Sequence, residues 1–225
     1  MHVLVGNFSK YTLALMVYAK QQALQDVAVV SVDTGWAATC WQQRVDFAKA
    51  WGQQNGFEWI RLHPAQDFAS LILDRKDFPS ARFQWCASLL KGMVILDWLD
   101  KVDPSAAATV MLPKTILLEP TLPEHIDESE VFGGRALWHP LIQHAEADID
   151  FLAQSEFPIW QGPSLECAPC LHHSDVTRQQ YADSSTLASI ELKLKKTFPK
   201  FIPTEDDGLF SGYQRGCGNL FGCGL

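Results

Sequence analysis

Four of the six cysteines in this 225-residue chain gather in its last third: Cys167 and Cys170 in a Cys-x-x-Cys, then Cys217 and Cys223. Thiolates are soft, charged donors suited to Zn²⁺ or to an iron–sulfur cluster. A Cys-x-x-Cys brings two sulfurs to one centre from a single turn, and Pro169 stiffens that turn. Such a pair needs two further ligands. Cys217 and Cys223 qualify because Gly216, Gly218, Gly222 and Gly224 let the backbone wrap closely around an ion or cluster. The bland alternative is a set of free buried thiols that behave as small hydrophobes. Cys40 has no partner pattern and reads as core or surface.

A second group of residues has the types that meet an anionic ligand: Lys91, Arg135 and His139. Each taken alone is more often structural. Asp33 and Thr34 end an apolar run and serve either a ligand or a turn. His172 and His173 follow the Cys-x-x-Cys and read as exposed loop residues or as ligands.

The elements that must position these groups alternate. His2–Val5, Val27–Val32 and 57–62 are strand-like, and the second is apolar enough to be buried on both faces. Helical spacing of apolar residues runs over about 12–25, 39–55, 65–74 and 86–101. Later strands are expected at 109–112 and 116–118, with helices at about 146–155 and 184–198. Strands alternating with helices predict right-handed βαβ units and a Rossmann-like parallel sheet flanked by helices. Ligands in such sheets sit at the carboxyl ends of the strands. The expected organisation is an α/β nucleotide-binding domain over 1–145 and a cysteine-rich, metal-binding module over 146–225 packed on it.

Hydrophobic residues at 47% and charged residues at 20% suit a globular chain with a sizeable core. A net charge of −8 argues against a basic coat for nucleic acid, although a local basic groove remains compatible with it. The chain shows no signal-peptide pattern and no run of about 20 apolar residues for a membrane span. A cytoplasmic location is expected, where paired cysteines bind metal more often than they form disulfides.

Several motifs, in order, resemble the phosphoadenosine-phosphosulfate (PAPS) reductase-like branch of the adenine nucleotide α-hydrolase-like (PP-loop) superfamily. Gly6-Asn7-Phe8-Ser9-Lys10-Tyr11-Thr12 stands where that family has its Ser-Gly-Gly-x-Asp-Ser loop. Val32-Asp33-Thr34-Gly35 matches its Asp-Thr-Gly. Phe78-Pro79-Ser80, Trp85-Cys86 and Lys91 resemble its Trp-Cys-x-x-x-x-Lys region. Arg135 with His139-Pro140-Leu141, followed by Asp148-Ile149, resembles its His-Pro-Leu segment and the next helix. The Cys-x-x-Cys lies where iron–sulfur relatives carry one, and the resemblance spans roughly residues 2 to 175.

The resemblance implies ATP or an adenylated nucleotide held by Gly6, Ser9, Lys10, Thr12, Asp33, Thr34, Lys91, Arg135 and His139. It implies a 4Fe–4S cluster on Cys86, Cys167 and Cys170 with a tail cysteine as fourth ligand. Trp85 stands where those relatives have a second adjacent cysteine. The related deazaguanine synthases instead suggest a closed zinc site of Cys167, Cys170, Cys217 and Cys223. Gly222-Cys223-Gly224-Leu225 resembles the tail of sulfonucleotide reductases, which makes Cys223 a candidate nucleophile if its thiol pKa is lowered. The loop departs from its family: Phe8, Lys10 and Tyr11 replace small or acidic residues, and such bulk is expected to obstruct the close backbone approach of a pyrophosphate. No Gly-x-Arg follows the strand near 110; Leu112-Pro113-Lys114 stands there.

The leading expectation is an enzyme of sulfur transfer or nucleoside modification with a small nucleotide-like substrate and a sulfur- or electron-donor protein as partner. The alternative is a non-catalytic nucleotide- or zinc-binding protein whose loop has decayed.

Overall fold

The computed structural model describes residues 1–76, 79, 84–115, 120–157, 164–168, 170, 192, 193 and 196. Its centre is one six-stranded sheet in the order β3-β2-β1-β4-β6-β5. The strands are β1 (His2–Val5), β2 (Val27–Val32), β3 (Glu58–Leu62), β4 (Thr109–Met111), β5 (His125–Ser129) and β6 (Arg135–Trp138). All neighbours are parallel except β5, which pairs antiparallel with β6 at one edge. The order reverses at β1, so the crevice between β1 and β4 is the topological switch point where ligands bind in such sheets.

Alternation along the strands sorts the core into two layers. Leu4, Val27, Val29 and Met111 face α1 (Lys10–Gln21), α2 (Thr39–Gln54) and α5 (Glu146–Glu156). Val3, Val5, Val30, Val32 and Val110 face the opposite way, onto Ile95 and Leu99 of α4 (Met93–Val102). The six residues of β2 are all buried, as an apolar, β-branched run in a parallel sheet requires. This is the Rossmann-like α/β architecture expected, with α1, α2 and α5 on one side of the sheet and α4 on the other.

A third apolar cluster caps the carboxyl end of β2. It holds Trp36, Phe68 and Ile72 of α3 (Phe68–Arg75), and Trp85 and Leu90. Residues Ala87–Gly92 form a π-helical segment that runs into α4. Such widened turns recur at functional sites.

The structure adds two strands absent from the expected set. β5 (His-Ile-Asp-Glu-Ser) carries a single large apolar residue, and β6 opens on the charged Arg135 with only Leu137 and Trp138 as large apolar residues, so neither reads as an apolar run. The expected strand at 116–118 lies outside the described residues, as do most of the helix expected at 184–198 and Cys217 and Cys223. Among the described residues, no helix is long and apolar enough to cross a membrane.

Candidate functional site

The loop after β1 is built by close approach. A Cβ at Gly6 would come within 2.2 Å of the Thr12 methyl group, so only glycine fits there. Asn7 then organises the turn: its Oδ1 accepts from the Ser9 amide at 3.0 Å and from the Thr12 hydroxyl at 3.1 Å. The Trp41 indole N–H donates to the Asn7 carbonyl at 3.1 Å, and Arg44 donates to the Phe8 carbonyl at 3.0 Å. Both carbonyls are thereby anchored on α2, and the amides of the same trans peptides turn away from it.

The expected obstruction by bulky side chains is not what the structure shows. Phe8 is fully buried and stacks on Trp59, with ring centroids 5.1 Å apart and planes 15° apart. Its φ of 62° is the left-handed conformation that a glycine adopts freely, and packing against Trp59 and Trp41 holds a phenylalanine there. Lys10 and Tyr11 swing to α5. The Lys10 amine pairs with Glu146 and, at 2.8 Å, with Asp150, and the Tyr11 hydroxyl donates to Glu146 at 3.1 Å. Burial alone would lower the Lys10 pKa, but the Asp150 and Glu146 carboxylates outweigh it and raise it.

What remains at the mouth of the loop is Ser9, the residue that caps α1. It is fully buried, and its hydroxyl makes no capping bond and has no hydrogen-bond partner among the described residues. The first turn of α1 carries no acidic residue. First-turn amides of a helix lack intrahelical partners and favour a bound anion. Across the switch point, after β4, Lys114 and Thr115 are buried, and the Thr115 hydroxyl is likewise unpartnered among the described residues.

Asp33 and Thr34 end the next strand. Asp33 accepts from the Gly35 amide at 3.0 Å and from Arg61 at 2.5 Å. Burial pushes its pKa upward, and the Gly35 amide and the Arg61 guanidinium outweigh that and hold it below the usual carboxylate range. Arg61 also lies over the Trp41 ring, 5.4 Å from its centroid. It was absent from the sequence-based set, because nothing local in β3 marks an arginine as the partner of an aspartate on β2.

Thr34 is buried under a short strap, Ser164–Ala168. Its hydroxyl lies 3.5 Å from the Glu166 carbonyl and 3.5 Å from the Cys167 sulfur. Two backbone bonds hold the strap: Ala38 donates to Leu165 at 3.0 Å, and Ala168 donates to Trp36 at 2.8 Å. Lys91 donates to Glu166 at 2.7 Å with both side chains buried. Burial raises the Glu166 pKa, and the facing Lys91 opposes but does not cancel that rise.

Cys86 and Cys167 both pack against the Trp36–Phe68–Ile72–Trp85–Leu90 cluster, so the structure brings these two expected ligands to one wall. Cys170 is half-buried. Among the described residues, no three His, Cys, Asp or Glu side chains converge as a metal site. The chemistry of the pair suits a soft metal, but the described residues do not supply a complete ligand set.

The remaining two expected residues lie apart. His139 is buried at the carboxyl end of β6, its Nδ1 2.8 Å from the Pro123 carbonyl, which can only accept. Arg135 opens β6 and so sits at the opposite, amino-terminal end of the parallel strands. Its guanidinium donates to Asp103 at 2.9 Å, to the Asp103 carbonyl at 2.6 Å and to Asp100 at 3.0 Å. The structure therefore separates Arg135 from the loop it was expected to join, and gives it the work of tying β6 to the end of α4.

The fold and its crevice define a Rossmann-like α/β protein with buried polar groups collected at the carboxyl ends of β1, β2 and β4. No protein-family model and no curated protein matches the chain. Solved structures similar to it at low identity include the following two. One is phosphoadenylyl-sulfate (PAPS) reductase from Candida auris, solved as a phosphate complex, at 12% identity and a TM-score of 0.48; the match covers 68% of this chain and 71% of that one. The other is NH3-dependent NAD synthetase from Campylobacter jejuni in complex with the nitrate ion, at 11% identity and a TM-score of 0.46, covering 90% and 88% respectively.

Proposed function

We propose that this chain is a PAPS reductase-like, PP-loop-type enzyme that binds a nucleotide-like anion at the start of α1 and acts in sulfur transfer or nucleoside modification. The observation that carries the reading is the fully buried Ser9 hydroxyl, unpartnered among the described residues, at the amino end of a helix without first-turn acids. A phosphate or sulfate oxygen would satisfy that hydroxyl and the first-turn amides together. Thr115 would reach the same ligand from across the switch point, and Asp33 and Thr34 would meet the part of it beyond the anion.

The thiolate centre belongs to the same reading. Cys86, Cys167 and Cys170 would hold it with a tail cysteine, Cys217 or Cys223. A 4Fe–4S cluster would supply redox or sulfur-handling chemistry beside the ligand, whereas a closed four-cysteine zinc site would supply structure alone. A sulfur- or electron-donor protein would complete the turnover.

One observation favours the non-catalytic alternative. Lys10, Lys91 and Arg135 are the cations expected for an anionic ligand, and each is paired with a carboxylate of this chain. Thermal-shift titration of anaerobically purified protein with ATP, adenosine phosphosulfate and PAPS, with iron and zinc measured on the same sample, tests the two readings. A nucleotide-dependent rise in Tm together with bound iron supports the enzyme. No shift with any of the three contradicts nucleotide binding, and one zinc per colourless chain replaces the cluster by the structural site.

A further inference from the structure

The buried ion pair Lys91–Glu166 has a role that its own energetics do not account for. Its side chains are 3% and 4% exposed, and a pair so deep recovers its desolvation cost poorly compared with apolar residues of the same volume. Glu166 Oε1 has no partner among the described residues, which adds to that cost. What the pair does supply is a specific register between two segments 75 residues apart.

Those two segments carry the cysteines. Lys91 lies about one helical turn beyond Cys86, within the π-helical segment Ala87–Gly92. Glu166 immediately precedes Cys167 in the strap. Among the described residues, two backbone hydrogen bonds fasten the strap to 36–38 and the Thr34 hydroxyl meets the Glu166 carbonyl and the Cys167 sulfur, while Leu165 within it sits at a φ of 61°, a conformation costly for a branched side chain. Those contacts tie the strap to 34–38, whereas the Lys91–Glu166 pair ties it to the segment that follows Cys86.

We propose that Lys91 and Glu166 are positioning residues: their buried pair locks the strap against the start of the π-helical segment so that Cys167 and Cys86 share one wall. This rests on the reading of those cysteines as metal ligands. The pair acts through the cysteines and touches neither metal nor substrate in this role.

The test compares the full-length wild type with Glu166→Gln and with the double variant Lys91→Met/Glu166→Leu, which replaces the pair by apolar side chains. Three quantities are read: iron and zinc per chain, the urea midpoint, and the yield of a Cys86–Cys167 cross-link formed by dibromobimane on metal-stripped protein and mapped by mass spectrometry. The double variant is expected to match or exceed the wild-type midpoint. Its cross-link yield and metal content are expected to fall roughly tenfold, as a lost register worth about 1.4 kcal/mol would give. Glu166→Gln is expected to lower all three. A double variant that cross-links and loads metal like the wild type overturns the proposal. A wild type that binds no metal, yet whose cross-link depends on the pair, keeps the positioning role and removes the metal reading beneath it.

Discussion

Replacing Phe8 by glycine should harm the fold less than replacing it by alanine, an inversion of the usual order at a buried site. Phe8 is fully buried and stacked on Trp59, so truncating its ring should cost about 3–5 kcal/mol. Both variants lose that packing. Alanine keeps a Cβ at a φ of 62° and so keeps the left-handed strain, about 1–2 kcal/mol for an L-residue. Glycine relieves it and returns about 0.5–1 kcal/mol through its greater freedom in the unfolded chain. The net expectation is Phe8→Gly more stable than Phe8→Ala by about 1 kcal/mol, with both below the wild type. Urea unfolding followed by tryptophan fluorescence and circular dichroism reads the three midpoints. An alanine variant as stable as the glycine variant, or more so, would refute the claim that packing holds a strained backbone in this loop.

Removing the buried Ser9 hydroxyl should leave the ligand-free protein unchanged or slightly more stable, since it has no partner to lose among the described residues. The same Ser9→Ala change should weaken binding of an anionic nucleotide by roughly tenfold, the worth of one hydrogen bond to a charged group, read by isothermal titration calorimetry. Arg135→Ala should cost about 3–5 kcal/mol by stranding Asp103, while the folded fraction keeps its nucleotide affinity. Equilibrium unfolding combined with titration separates the two effects, and a selective loss of affinity would return Arg135 to the ligand. Asp103 is buried, which pushes its pKa up, but the Ala108 amide, Arg135 and the Ala107 amide together hold it below the ordinary value. The unfolded chain therefore takes up the proton first as pH falls. Stability from Asp103 is complete above its unfolded pKa of about 3.9 and is lost as pH drops through its lower folded value. Asp33 is depressed in the same direction. Asp103→Asn should flatten the acid limb of the stability curve, and an unchanged slope in urea titrations between neutral and acid pH would contradict it.

Much of the sheet was legible because β1, β2 and β4 are short apolar runs and β3 mixes aromatic and β-branched residues with charge, and the polar residues that follow the first two fall where parallel strands place a ligand. Asp33 and Thr34 could be assigned to that edge from the end of one strand. The rest depended on contacts distant in sequence. Lys10 finds Glu146 at a separation of 136 residues, and Lys91 finds Glu166 at 75. A lysine near a glycine turn looks like an anion ligand until that partner is known. Phe8 reads as an obstruction in a linear loop because its receptacle, Trp59, belongs to an edge strand four elements further along the chain. Arg135 was assigned to the ligand because β6 went unrecognised: without the strand, nothing shows that the arginine begins it and so lies at the far end of the sheet.

The central claim is that the amino end of α1, with the Ser9 hydroxyl, receives the anionic part of a nucleotide. Amide NMR of isotopically labelled protein, titrated with AMP, adenosine phosphosulfate and PAPS, tests it most directly. The account predicts saturable shifts, for at least one of the three, that are largest at the amides of Ser9, Lys10, Tyr11 and Thr12 and diminished in Ser9→Ala. Saturable binding that leaves those amides unmoved, or no binding of any of the three, would contradict it.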